Sequence, residues 1–577
     1  MQAIVQNKRF LYLVIGIIVL NLFINNWSIS FWDQDESAYA GFAHNMRKTS
    51  NWVVPEFDWS EPHRKTPLHF WAIAGSFWLF GENEFATRFS SVLALLLAGY
   101  MLFALGKNLF GRETSLLAAI LMLSSLFLPS LAKIGVTDAT LMFFETGAAL
   151  ALLNFMHRPA WKWTLLLWLM VSGGIMVKGP PVLILVFGMI GMLFIFHPKR
   201  WRLVHLHPWI FVPLTLVPLY VWGQAAWQAD GGKFITWLID WYILKRVSGN
   251  VFGQTGPPGY FLLVFCIAFL PWLMYFPKGL EDLFSHWRKR KNDDYYWYML
   301  AWLSAGWFVY ELVSSKLPSY ALGAYPAVAV IIARQILQVK AADFTQLKVL
   351  RVGLYIYLVL ALIISAGLVA GSILFLDTLG VVAAVILAVL WGGLSIYNFI
   401  NYKKGAVDLG LKGSLVSALG FFLIAWGLIV PSLDTSRSAT RQVAQLIEKT
   451  TPAKTKVVLA HEFLPSMPFY MISVDHPYQK LSPYNHLKGE HFMQLKKLYD
   501  AQEPIAIVLN EEMYMQFRAY MHQKLCYYCP YNYKEPTTYQ YYMNLSDKVF
   551  AQVHSIDGFI TDKTRPERYW VVYNRKF

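Results

Sequence analysis

The chain has 577 residues, 56% of them hydrophobic and only 15% charged, with 50 Lys and Arg against 35 Asp and Glu for a formal charge of +15. Many apolar runs approach the twenty or so residues that cross a bilayer, and three Cys cannot staple so long a chain, which excludes a disulfide scaffold and points to a polytopic membrane protein. The basic residues fall in short clusters between apolar runs, where cytoplasmic loops collect them, so the charge speaks for topology and attraction to anionic lipid and not for nucleic acid.

The first span, about Phe10 to Ile29, follows Lys8 and Arg9 and carries no small-residue cleavage signature, so it reads as a retained helix with a cytoplasmic N-terminus. The loop 31–66 comes next, with Asp33, Asp35, Glu36 and Lys65 among many aromatics: Trp32, Tyr39, Trp52, Phe57, Trp59 and, just beyond, Phe70 and Trp71. Such rings form an interfacial belt at headgroup level, and their faces can also pack on a sugar. From there basic and non-basic connectors alternate. The cytoplasmic set is 107–112, 157–162, 199–202, 286–294, 340–351 and 401–412; the opposite set is 31–66, the neighbourhood of Asp138, the turn KGPP at 178–181, 228–258, SSKLPSY at 314–320 and LDTLG at 376–380. These breaks predict about thirteen transmembrane helices and leave the chain beyond Pro431 outside.

Residues 1–431 thus read as a membrane domain and 432–577 as a soluble extracytoplasmic α/β domain. In the latter, VVLAH (457–461), IAIVLN (505–510) and RYWVVYN (568–574) have the texture of strands, while SRSATRQVAQLIEKT and NEEMYMQFRAYMHQK have helical spacing with polar openings. No internal repeat is visible, and neither are the inverted halves of many transporters.

Charges near membrane depth are costly and face a cavity, a partner or a substrate. On this topology Asp35, Glu36, Lys65, Asp138, Lys178, Arg246 and Lys316 all fall on the extracytoplasmic side. Lys and Arg bind a phosphate and stabilise it as a leaving group, and a carboxylate can take the proton of an acceptor hydroxyl. The bland readings are a loop acid or cap for Asp33, helix caps for Asp35 and Asp138, and a helix end for Lys178. Cys526 and Cys529 of CYYC read as a small disulfide or two structural thiols; His522 is the only nearby third ligand for zinc.

Two segments, DQDESAYAGFAHNMRKTSNWVVPEF and HRKTPLHFWAIAGSFWLFGENEFATRFSS, carry Asp35, Glu36, Tyr39, Ala40, Trp52, Pro55, Lys65, Phe70, Trp71, Leu79, Phe80, Gly81 and Arg88 in a familiar order. They resemble the first extracytoplasmic loop of the GT-C glycosyltransferases related to protein O-mannosyltransferases, and among them the lipid A aminoarabinose transferases. The resemblance continues at Asp138, Lys178-Gly179, Arg246, GPPGYFLLVFCIAFLPW (256–272) and SKLPSYALGAYP (315–326).

The resemblance implies a GT-C fold with active site and C-terminal domain on the periplasmic face of a bacterial inner membrane. It implies transfer of a sugar from a polyprenyl (undecaprenyl) phosphate carrier to an envelope acceptor such as lipid A or another glycan. Asp35 would be the main catalytic carboxylate, with Glu36 beside it and Asp138 a second essential acid. Lys65 and Arg246 would grip the donor phosphate, with Lys178 and Tyr320 near the same cavity. In the aminoarabinose transferases the residue before the loop lysine is commonly a Glu that can help hold a metal, and a His is common where this chain has GQTGPPG; with Arg64 and that segment here, a divalent cation is not favoured but stays open, and no cofactor is certain. A transporter or flippase of lipid-linked sugars, and a protein O-glycosyltransferase, are the alternatives. Sugar and acceptor stay open.

Overall fold

The computed structural model describes the chain apart from residues 1–6, 33, 246–254, 286–292, 435–438, 461–463, 482–488, 524–544 and 561–564. Cys526 and Cys529 therefore lie outside the described residues. Seven described helices are long and apolar enough to cross a bilayer: Glu84–Phe110, Thr137–His157, Pro208–Asp230, Pro318–Gln338, Lys348–Phe375, Thr378–Lys403 and Val407–Asp434. Leu68–Phe80 and Pro180–Phe196 are apolar but shorter. The protein is thus a multi-pass, mostly helical membrane protein. The stretch 260–284 is broken into Tyr260–Ala268 and Phe276–Phe284, with Pro271 in the gap, because proline removes a helical donor and clashes with the preceding turn.

Burial sorts the spans. The apolar window of Thr137–His157 is 89% buried and that of Pro318–Gln338 is 83% buried, whereas Lys348–Phe375 is 11% and Pro208–Asp230 is 17% buried. The first two form the centre and the last two present side chains outward, where lipid is as good a partner as protein. Asp138 opens the most buried of these helices.

The first loop is not irregular. Asp35–Thr49 is an α-helix with Asp35 and Glu36 in its first turn and Arg47 and Lys48 in its last, the arrangement the helix dipole favours. A 3-10 turn, Glu61–His63, leads back to the helix Leu68–Phe80. Gly41 lets the loop close on itself: a Cβ there would sit 2.1 Å from the Phe57 ring.

The C-terminal part is a mixed five-stranded sheet of order β2-β1-β3-β5-β4, with β1 Lys456–Leu459, β2 Tyr478–Lys480, β3 Ile505–Asn510, β4 Gln552–Ile560 and β5 Arg565–Tyr573. β1 runs parallel to β2 and β3, and β5 pairs antiparallel with β3 and β4. The three expected strands and the helices Thr440–Thr450 and Glu511–Met521 are present. β2, three residues with an exposed second half, and β4 escape a hydrophobicity search. One face of this sheet shares a core with the loop: Val443, Leu459, Phe469 and Val571 belong to the same buried cluster as Phe31, Tyr39, Phe57 and Phe70.

Candidate active site

Asp35 is the first residue of the loop helix, and three donors converge on one of its oxygens. The Tyr39 hydroxyl donates to Oδ1 at 3.0 Å, the His63 Nδ1 lies 3.0 Å from the same atom, and the Lys65 Nζ is 3.6 Å away. Lys65 in turn donates to the Tyr39 hydroxyl and stands 4.7 Å from the centre of its ring. Oδ2 has no hydrogen-bond partner among the described residues, and the side chain is 53% exposed, so a second molecule can reach that oxygen. Packing around the carboxyl acts to raise its pKa, but the Lys65 ammonium and the His63 hydrogen bond outweigh it and hold Asp35 well below the usual carboxylate range. Burial, with Asp35, Tyr242 and Asp138 nearby, pushes the Tyr39 phenol well above its ordinary 10.0, so it stays a donor.

Glu36, paired with Asp35 by the sequence reading, faces the other way. It is fully buried, and Arg88 closes on it with Nε 2.7 Å from Oε1 and a second nitrogen 3.0 Å from Oε2. The Trp32 and Gly135 amides donate to Oε2 and Oε1 at 2.7 and 2.8 Å. Arg88 spends its remaining hydrogens on the carbonyls of Asn26, Ile29 and Ser30. With both oxygens saturated in a dry site, Glu36 is placed to fix the loop and not to meet a substrate; adjacency to Asp35 in sequence does not put the two on one face, since helix neighbours are about 100° apart.

Through Gly135 the same lock aims Asp138. A Cβ at Gly135 would lie 2.6 Å from Thr87 Cγ2 and 2.9 Å from the Thr87 carbonyl, so only glycine fits. The Gly135 carbonyl lies 3.1 Å from His69 Nε2, while His69 Nδ1 meets Thr140 Oγ1 at 3.0 Å and the ring packs edge-on to Tyr39 at 5.9 Å. Asp138, in the first turn of Thr137–His157, is not a cap: Lys178 Nζ donates to its Oδ1 at 2.5 Å, both side chains being mostly buried. Thr66 ties the loop to this corner by donating to the Ile175 carbonyl at 3.2 Å.

The structure thus brings Asp35, Lys65, Asp138 and Lys178 together around Tyr39 and His69. Tyr320 stands apart, its ring 6.2 Å from that of Tyr310 in the 3-10 segment Pro318–Ala324, whose Gly323 approaches the buried Glu145 two turns below Asp138. Lys316 is a structural cation, its Nζ 2.9 Å from the carbonyls of Tyr310, Glu311 and Val313. Arg246 lies outside the described residues. Sequence reading passed over two contributors, Tyr39 as a donor and His63. Tyr39 was legible as the i+4 neighbour of Asp35 on a helix; His63, the last residue of the 3-10 turn, gave no spacing signal.

The described residues do not by themselves fit the metal that the family resemblance raises. No group of three or more His, Cys, Asp or Glu able to hold an ion occurs among the described residues. At position 64 a guanidinium stands where a ligand would be needed, and it turns to the Phe234 ring, 6.0 Å from its centre. Beyond Arg64, two adjoining cavities of about 330 and 750 Å³ open between the loop and the C-terminal sheet, sharing Lys48, Asp58, Ile472 and Tyr478. Glu61 and Arg64 line the first of these, while His63 and Lys65 of the same turn reach Asp35.

Comparison with known proteins converges on one group. Residues 64–223 match the model of the dolichyl-phosphate-mannose-protein mannosyltransferase family. An undecaprenyl phosphate-alpha-4-amino-4-deoxy-L-arabinose arabinosyl transferase of Shewanella sediminis (strain HAW-EB3) is 24% identical over 437 residues, 73% of this chain and 76% of its own length. A protein of the same name from Yersinia pestis (strain Pestoides F) is 28% identical over 300 residues, about half of each chain at 50% and 52%. The crystal structure of ArnT from Cupriavidus metallidurans bound to undecaprenyl phosphate superposes with a TM-score of 0.69 at 17% identity, covering 98% of both chains.

Proposed function

We propose that this chain, whose fold is that of the GT-C glycosyltransferases, is an integral-membrane glycosyltransferase that moves a sugar from a polyprenyl phosphate carrier to an envelope acceptor, lipid A or another glycan. Asp35 is the general base. The acceptor oxygen attacks the anomeric carbon, its proton passes to Asp35 Oδ2, and the bond from that carbon to the phosphate oxygen breaks with its electron pair leaving on the phosphate. Lys65, Lys178 and Arg246 carry the charge that develops there, and Asp138 holds Lys178 in place. Tyr320, which the resemblance implies lies near the donor, stands beside Tyr310 outside this group and is given no step. Glu36 acts through Arg88 and Gly135 as a positioning residue.

The observation that carries this reading is the division of labour on Asp35: one oxygen takes two hydrogen bonds with the Lys65 ammonium close by, and the other has no partner among the described residues, beside a second acid–lysine pair. A carboxylate so held is oriented and ionised, which is worth about 10²- to 10⁴-fold as a general base. The membrane part, residues 1–431, accepts the lipid tail in a lateral groove, each buried methylene adding about 0.8 kcal/mol. The reaction takes place at the periplasmic face of the inner membrane, where residues 432–577 close the site from outside and shape acceptor access.

The test incubates purified protein with a labelled polyprenyl-phosphate sugar and a crude envelope acceptor. Transfer by wild type and its loss in Asp35→Asn is the expected result; equal transfer by the variant removes Asp35 as the base.

A further inference from the structure

We infer that His63 is a positioning residue for the transfer: its Nδ1–H fixes the rotamer of Asp35 so that Oδ2, and not Oδ1, receives the acceptor's proton. The inference rests on the reading of Asp35 as general base. Of the three groups around Oδ1, Tyr39 belongs to the same helix and moves with it, and Lys65 at 3.6 Å acts by charge and not by a hydrogen bond. Among the described residues, His63 alone makes a hydrogen bond to Asp35 from a separate segment, at 3.0 Å. It therefore sets the carboxylate relative to the turn that also presents Lys65.

The turn is itself held. The His63 amide donates to the Ser60 carbonyl at 3.0 Å, the Pro62 carbonyl accepts from the Tyr242 hydroxyl at 3.3 Å, and the imidazole is 15% exposed. Because the ionised Asp35 can only accept, the proton of a neutral His63 must sit on Nδ1, which settles the tautomer. Arg64, the next residue, diverges onto Phe234, so the turn sends one side chain to the carboxylate and the other to an apolar wall. Without His63, Oδ1 keeps one hydrogen bond from its own helix, and the carboxylate can rotate to offer either oxygen.

Misplacement of a reacting group by about 1 Å costs up to about 10²-fold in rate. In the labelled-donor assay, His63→Phe keeps the volume without the donor, and kcat should fall about 10- to 100-fold with the donor KM within about 2-fold. His63→Asn carries an amide nitrogen where Nδ1 stands and should return kcat to within about 3-fold of wild type. A His63→Phe enzyme with wild-type kcat, a change confined to KM, or an Asn variant as slow as Phe overturns the inference, because the ring would then only fill space. Absence of transfer by wild-type protein would instead sink the general-base reading, a separate outcome.

Discussion

Arg88 and Glu36 meet through two parallel hydrogen bonds, of 2.7 and 3.0 Å, at a point that water does not reach. Such a pair is costly to break from one side, because the remaining charge stays buried and alone; the usual loss is about 3–5 kcal/mol. Asp35, one residue earlier, is half exposed and has an oxygen to spare. The two neighbouring acids should therefore fail differently. Glu36→Gln is expected to lower the thermal midpoint in detergent markedly and to lose activity in proportion to folded protein. Asp35→Asn should purify with a near wild-type midpoint and lose about 10²- to 10⁴-fold in kcat. Equal midpoints for the two variants would contradict the assignment.

Tyr470 links the C-terminal part to the loop. Its hydroxyl accepts from the Phe31 amide at 2.9 Å and donates to Glu84 Oε1 at 3.0 Å, and its ring lies 5.6 Å from Phe31, four residues before Asp35. Tyr470→Phe leaves a buried amide and a carboxylate without that partner, a loss of about 1–3 kcal/mol. We expect a lower thermal midpoint together with a lower kcat, since Phe31 anchors the entry to the loop helix. Unchanged kcat at full folding would mean that the domain does not brace the catalytic loop.

The resemblance and the charge alternation made the membrane class legible and pointed to residues that the structure brings close, because both are written in composition and order. What they left unread has physical causes. Asp35 and Glu36 look alike as letters, and only the helix that begins at Asp35 turns one to solvent and the other to Arg88. Lys316 resembled a substrate cation but collects three carbonyls of its own helix end, a local device that no spacing rule reports. His63 was hidden between more conspicuous charges.

Two carboxyls outside the spans contribute to stability on the acid side. The Glu82 pKa is lowered first by its hydrogen bond from His44, against the effect of burial, and further by the charges of His44 and Arg47; Asp35 is lowered by Lys65 and His63. A carboxyl depressed in the folded state binds its proton more weakly there than in the unfolded chain. Its contribution is therefore complete above the ordinary carboxyl values, 4.5 for Glu82 and 3.8 for Asp35, and is lost as pH falls below them. Thermal midpoints should show no loss from these two groups between about pH 5 and 8, and a loss below about pH 4. Glu82→Gln should remove part of that acid-side loss. A midpoint whose acid-side fall is unchanged in Glu82→Gln would count against the His44–Glu82–Arg47 junction.

Lys178 and Asp138 are 2.5 Å apart with 16% and 17% of their side chains exposed, and they come from different helices. If the pair acts as one unit, holding an ammonium where phosphate charge develops, either partner's removal disables both. Asp138→Asn frees Lys178 from its tether and Lys178→Met leaves Asp138 negative beside an anionic donor. Each single change should lower kcat by about 10²-fold or more, while the double variant should be no slower than the worse single one. The donor supplies a second check: Lys178→Met should weaken binding of polyprenyl phosphate, because it deletes a cation, whereas Asp138→Asn should leave it equal or tighter. Multiplying rate losses in the double variant would show two independent groups, and Asp138 would then need a role of its own on the acceptor side.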